Sequence, residues 1–159
     1  MGMGPENQQT DSPVKRALRA IADLQARLDA TEKARTEPIA VLGMAYKPDT
    51  DVVEQSQGVM IAAALADAGH AVMIADPCAL AAASAVLGER VTPFGDAAAA
   101  IAAARCVVIA TPAAAYRALP AQAFATGPRR VVLDCWRVLP AEIGAVADVV
   151  YLGVGPSPV

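Results

Sequence analysis

The chain has 159 residues and a formal net charge of −3 at pH 7, which gives no electrostatic reason to bind nucleic acid or an anionic membrane, so any phosphate affinity must be local. Hydrophobic residues make up 55% of it, but many are alanines and no run approaches the roughly 20 consecutive strongly apolar residues of a membrane span. The length suits one core of ordinary size, and the start lacks the basic and apolar regions of a secretory signal, so a cytoplasmic location is the default expectation.

The first dozen residues are polar and read as a disordered head. Ser12-Pro13 reads as an N-cap followed by proline at the first helical position. Val14, Ala17, Ile21, Leu24 and Leu28 then recur at alternating intervals of three and four, the stripe of an amphipathic helix over 13–34, with Lys15, Arg16, Arg19, Asp23 and Arg27 facing away. That stripe needs a partner, either the domain's own sheet or a second chain. After Glu37-Pro38 short β-rich runs alternate with alanine-rich helices, the pattern of βαβ units. It predicts strands at about 39–44, 71–75, 90–94, 106–110, 130–134 and 148–152. Helices are expected at about 57–68, 78–87, 96–104 and 113–118, with a short turn near 140–144. Ser56 is the expected N-cap and Gly69 the expected C-terminal glycine of the helix between them.

The fold class is therefore α/β, a Rossmann-like, doubly wound and mainly parallel sheet of about six strands, preceded by one amphipathic helix. The expected organisation is a head at 1–12, the helix within 13–36, the sheet domain over 37–153 and a flexible tail at 154–159. In a sheet ordered 3-2-1-4-5-6 the ligand crevice opens between strands one and four. Their ends are Met44 to Lys47 and Thr111-Pro112.

Strand one runs into Gly43-Met-Ala-Tyr-Lys-Pro-Asp-Thr-Asp51, followed by Ser56. A dinucleotide turn needs G-x-G-x-x-G so that backbone can approach a pyrophosphate; here Gly43 stands alone and Lys47-Pro48 occupies the turn. Lys47 is a flexible point cation suited to a diphosphate. Asp76-Pro77, which ends strand two, reads as a turn capping the next helix, and Asp51, Thr50 and Ser56 read as local backbone organisers. Cys78, Cys106 and Cys135 have no C-x-x-C spacing, and His70, read as a solvated loop residue, is the single histidine. A metal site and a redox pair are both disfavoured.

The run from Gly43 to Ser56 resembles the G-x-(A/G)-(F/Y)-K-P-x-T-D-D-x-R-x-S signature that opens the C-terminal, UDP-binding domain of the UDP-glucose/GDP-mannose dehydrogenase family. Asp67-Ala-Gly69, Ala75-Asp-Pro77, Ile109-Ala-Thr111 and Asp134-Cys-Trp-Arg-Val-Leu139 follow in the family's order, so the resemblance covers roughly Ile39 to Pro140. It implies that Lys47 contacts a nucleotide-sugar, that Tyr46 lies beside it, and that the site continues to Thr111 and to the segment after strand five. There the family has D-G-R-N. Counting from Asp134, Trp136 fills the arginine column and Arg137 the asparagine column, which makes both substrate-binding candidates.

Two departures face the family's cofactor side. Glu54 stands where the family arginine reaches the NAD phosphates, and Val52 replaces the second aspartate of the pair. Nothing matches the family's NAD-binding domain or its catalytic-cysteine segment, so no catalytic, cofactor or metal residue is assigned. NAD is expected only in the full-length family. The expected partners are UDP or a UDP-sugar, with a homodimer through helix 13–34 or a separate NAD-binding subunit. Two functions follow from the resemblance. One is the UDP-binding portion of an NAD-dependent nucleotide-sugar 6-dehydrogenase, which oxidises a sugar C6 alcohol to a carboxylate through a cysteine thiohemiacetal. The other is a non-catalytic, stand-alone binding or dimerisation module derived from that family.

Overall fold

Alanine, leucine and arginine, all strong helix formers, fill the segment behind Pro13, and in the computed structural model, which describes residues 13–154, α1 spans Pro13–Thr36. The expected head, the Ser12 cap and the end of the tail lie outside the described residues. The chain divides into two compact units, one reaching Ala34 and one beginning at Arg35. Of the predicted stripe on α1, Ile21 and Leu24 are 51% and 54% exposed.

The second unit is a six-stranded, wholly parallel sheet: β1 (Ile39–Leu42), β2 (Val72–Ala75), β3 (Val91–Pro93), β4 (Cys106–Ile109), β5 (Arg130–Asp134) and β6 (Val149–Gly153), in the order β3-β2-β1-β4-β5-β6. Each expected strand is present: β1 to β4 are one or two residues shorter than predicted, β5 keeps its predicted bounds, and β6 runs over 149–153 where 148–152 was expected. Ile39 lies opposite both Val72 and Cys106, so β1 is the central strand, paired on either side. Helices α2 (Gln57–Asp67) and α3 (Leu80–Leu87) pack on one face, over Val41, Ile74 and Val108. Helix α4 (Ala97–Ala103), the single-turn helices α5 (Ala114–Arg117) and α6 (Gln122–Ala125), and a 3-10 turn at Ala141–Ala145 pack on the other, over Leu42, Val107 and Val132. The sequence reading did not contain α6, whose four residues are too few to carry a helical period.

The two faces follow from handedness. Connections through α2 and α3 move the chain towards β3, while those through α4 to the 3-10 turn move it towards β6, and right-handed crossovers put opposite directions on opposite faces. Over β5 and β6 the α2 and α3 face is therefore open among the described residues, and Val131, Val150 and Leu152 are exposed there. The strands buried on both faces, β1, β2 and β4, are continuous apolar runs.

Helix α2 has the caps that were expected. Ser56 Oγ accepts from the Val59 N–H at 3.3 Å. At the other end Gly69 has φ +90, its N–H donates to Ala66 O, and the His70 N–H donates to Leu65 O, the paired bonds of a Schellman turn. His70 itself is half-buried with Nδ1 enclosed, which corrects its reading as a solvated residue: the Schellman turn folds the chain back on the helix end.

A cleft at the carboxyl ends of β1 and β4

Two glycines shape the exit from β1. Gly43 has φ +103, and a Cβ on it would overlap Thr111 Oγ1 and lie 2.8 Å from the Thr111 nitrogen. Gly58, in the first turn of α2, faces the Gly43 carbonyl oxygen so closely that a Cβ would overlap it. Gly58 was not singled out from the sequence. Its signal was a glycine two residues past a good N-cap, where helix propensity argues against it and close backbone packing argues for it.

The N–H groups that follow are taken internally. Asp76 Oδ2 accepts from Met44 N at 2.7 Å and Ala45 N at 3.1 Å, while Oδ1 accepts from Cys78 N at 2.8 Å and Ala79 N at 2.6 Å. Asp76 thus caps the entry to α3, as read from the sequence, and also ties β2 to the loop after β1. In a dinucleotide fold the amides past β1 would face a pyrophosphate. A carboxylate already bound to them repels that anion, so the residues present do not fit NAD at this turn.

Beyond Ala45 the loop folds on itself. The Tyr46 N–H donates to Val52 O at 2.7 Å, the Thr50 hydroxyl donates to Lys47 O at 2.9 Å, and Asp49 and Gln55 adopt left-handed φ values of 63 and 59. Thr50 is a loop organiser, as expected. The fold-back presents Tyr46, 53% exposed, with the Lys47 ammonium 5.9 Å from its ring centroid, within cation–π range. Glu54 and Val52 are exposed on the same loop.

Tyr46, Lys47, Gln57, Thr111, Pro112 and Trp136 line a cleft of about 330 Å³. The structure thus brings four of the five expected site residues together. Thr111 is 5% exposed, and its hydroxyl oxygen has no hydrogen-bond partner among the described residues. Trp136 is 50% exposed, and its indole Nε1–H donates to Ala110 O at 2.9 Å.

Arg137, the fifth, is not among the lining residues. It has φ 52, the left-handed region that an asparagine accepts readily, and its guanidinium donates at 3.1 Å to the carbonyl oxygen of Gly153, the last residue of β6. The turn carrying both residues is organised by buried Asp134. Its Oδ1 accepts from Trp136 N at 3.1 Å, and its Oδ2 accepts from Leu139 N at 2.9 Å and from the Tyr151 hydroxyl at 3.1 Å. Burial, and then the Asp134 charge, push the Cys135 thiol up; burial does the same to Cys106. Neither is poised as a thiolate. No group of three or more His, Cys, Asp or Glu among the described residues could hold a metal ion, and none of the described helices is long and apolar enough to cross a membrane.

Comparison with known structures returns nucleotide-sugar dehydrogenases. The UDP-glucose dehydrogenase of the hyperthermophilic archaeon Pyrobaculum islandicum is 32% identical over 76% of this chain and 25% of its own, with a TM-score of 0.60. The UDP-D-ManNAc dehydrogenase of Pyrococcus horikoshii is 20% identical over 93% of this chain and 35% of its own, with a TM-score of 0.58. An NDP-N-acetyl-D-galactosaminuronic acid dehydrogenase of Methanosarcina mazei is 20% identical over 97% of this chain and 33% of its own, with a TM-score of 0.60. The latter two speak to fold alone. The chain therefore spans between a quarter and about a third of the length of these structures. Curated protein sequences give no match. Residues 40–141 match the model of the UDP-glucose/GDP-mannose dehydrogenase family, UDP binding domain, and with most of its length inside that match the chain belongs to this family, as a Rossmann-like UDP-binding domain.

Proposed function

We propose that the cleft between β1 and β4 binds the diphosphate of UDP or a UDP-sugar, with Lys47 as the phosphate-pairing cation and Tyr46, Thr111 and Trp136 as flanking contacts. The observation that carries this is the exposed Lys47 ammonium at the rim of a cleft whose neighbouring loop amides are already bound by Asp76. A single flexible cation pairs with phosphate oxygens without fixed geometry. Arg137 enters as an anchor of the turn that presents Trp136. With one cation and much of the ligand left in water, affinity of about 0.1–1 mM is expected.

A nucleotide-sugar 6-dehydrogenase would need an NAD site and a thiol supplied from outside these 159 residues. The exposed Glu54 carboxylate, at the position of the family's cofactor-facing arginine, favours a non-catalytic binding module instead, since an anion there opposes a pyrophosphate. A homodimer through α1 is part of the same reading.

Titrating UDP into isotope-labelled protein tests the site by NMR. Shifts are expected at residues 43–48, 111–113 and 134–138, weaker in Lys47→Ala, with few or none for NAD. Stronger shifts from NAD at those residues would make the cleft a degenerate dinucleotide site.

A further inference from the structure

For a phosphate site the cleft is short of charge and rich in rings: Lys47 is the cation among its lining residues, and two aromatic side chains, each about half-exposed, share its wall. The ring of Trp136 is not loose. Its main-chain N–H is held by Asp134 and its indole N–H by the Ala110 carbonyl, so the side chain is tied at both ends while half of its surface stays open to solvent. A large apolar ring held out in water costs free energy unless something covers it, and a pre-ordered ring lowers the entropy cost of covering it.

We propose that Trp136 is a base-stacking platform, on which the pyrimidine ring of the bound nucleotide lies while its diphosphate runs to Lys47. This rests on the UDP reading above and assigns the base, which that reading leaves open. Three features favour a base over a second phosphate contact. Arg137, the nearest cation in sequence, donates to the Gly153 carbonyl and lies outside the lining. The Thr111 hydroxyl oxygen is enclosed beside Gly43, so it offers no second donor to a phosphate. On its other side Trp136 borders a second hollow of about 250 Å³ with Gln57, Cys135 and Val154, which contains no cation, so the diphosphate selects the face towards Lys47. Stacking on an aromatic side chain is tolerant of base identity, and uracil specificity would come from the ring's polar edge.

Trp136 is the single tryptophan of the chain, which makes it its own reporter. Indole fluorescence, excited at the red edge where uracil does not absorb, is expected to be quenched by UDP and UMP but not by inorganic pyrophosphate or glucose 1-phosphate. The one indole N–H signal in the NMR spectrum should move with the same ligands. Trp136→Phe should keep UDP affinity within about threefold, and Trp136→Ala should weaken it by about tenfold or more. If UDP shifts the amides around Lys47 yet leaves the fluorescence and the indole N–H unchanged, the stack is wrong and the UDP reading stands. Quenching by glucose 1-phosphate as strong as that by UMP puts the sugar on the ring and overturns the proposal. If UDP shifts nothing at millimolar concentration, both fall. Should the alanine variant lose amide dispersion, the indole signal of the unaltered chain and the phenylalanine variant decide.

Discussion

Arg130 is the largest of the fully buried side chains, and its guanidinium donates to the carbonyl oxygens of Ile101, in the last turn of α4, and of Thr126. Burial lowers its pKa, yet a cation at a helix C-terminus meets the negative end of the dipole. Arg130→Met should keep the volume and strand both carbonyls, costing about 2–4 kcal/mol in urea unfolding; a loss below about 1 kcal/mol would mean that water replaces the guanidinium. Tyr151 supplies a pH signature. Burial, followed by the Asp134 carboxylate, pushes its hydroxyl up to about 12, with Arg137 opposing. A tyrosine in the unfolded chain ionises near 10, so between about pH 10 and 12 the unfolded state has released a proton that the folded state keeps. The stabilisation is whole below pH 10 and is lost as pH rises to about 12. Tyr151→Phe should flatten that part of the curve of unfolding free energy against pH, and an unchanged slope would refute the assignment. Neither residue was singled out from the sequence, because an arginine opening a strand and a tyrosine within one carry no local signal of the partners that the sheet brings to them.

At the level of elements, the seat of α2 on the loop after β1 is made by the absence of two side chains. Gly58→Ala must push the Gly43 carbonyl away, and Gly43→Ala meets both Thr111 and an unfavourable φ. Each should cost about 2 kcal/mol or more by thermal unfolding and weaken UDP binding, because the loop carries Lys47. An ordinary helix glycine would instead gain stability on replacement by alanine, so the sign alone discriminates. In α1, Ile21 and Leu24 are exposed. If α1 pairs chains, light scattering should give a dimer mass for the unaltered protein and a monomer mass for Ile21→Asp with Leu24→Asp; a monomer in both removes the dimer. The element periods and both α2 caps were readable because they depend on neighbours within a few residues. The four-residue α6 escaped because one turn has no period.

For the whole molecule, the dehydrogenase question reduces to what surrounds one cleft. Hydride transfer needs a bound nicotinamide and a group that holds the aldehyde, while here the turn amides bind Asp76 and the Cys135 thiol is pushed up by burial. The 159-residue chain by itself is expected to form no NADH with UDP-glucose, UDP-N-acetyl sugars or GDP-mannose. Production above a protein-free control at micromolar protein would overturn this.

By itself the sequence determined the order of the strands and of every helix but α6, the parallel sheet, and the family, since hydrophobic period, capping residues and an ordered set of motifs are local or linear properties. It also marked Lys47, Tyr46, Thr111 and Trp136 one by one. That Trp136 lines the cleft while Arg137 turns to Gly153 was decided only by tertiary structure, because in the turn after β5 the direction of each side chain follows from a single left-handed φ and from which amides Asp134 holds. The same is true of Asp76: its four amide partners come from two segments more than 30 residues apart in sequence, and only the pairing of β1 with β2 brings those donors to one carboxylate.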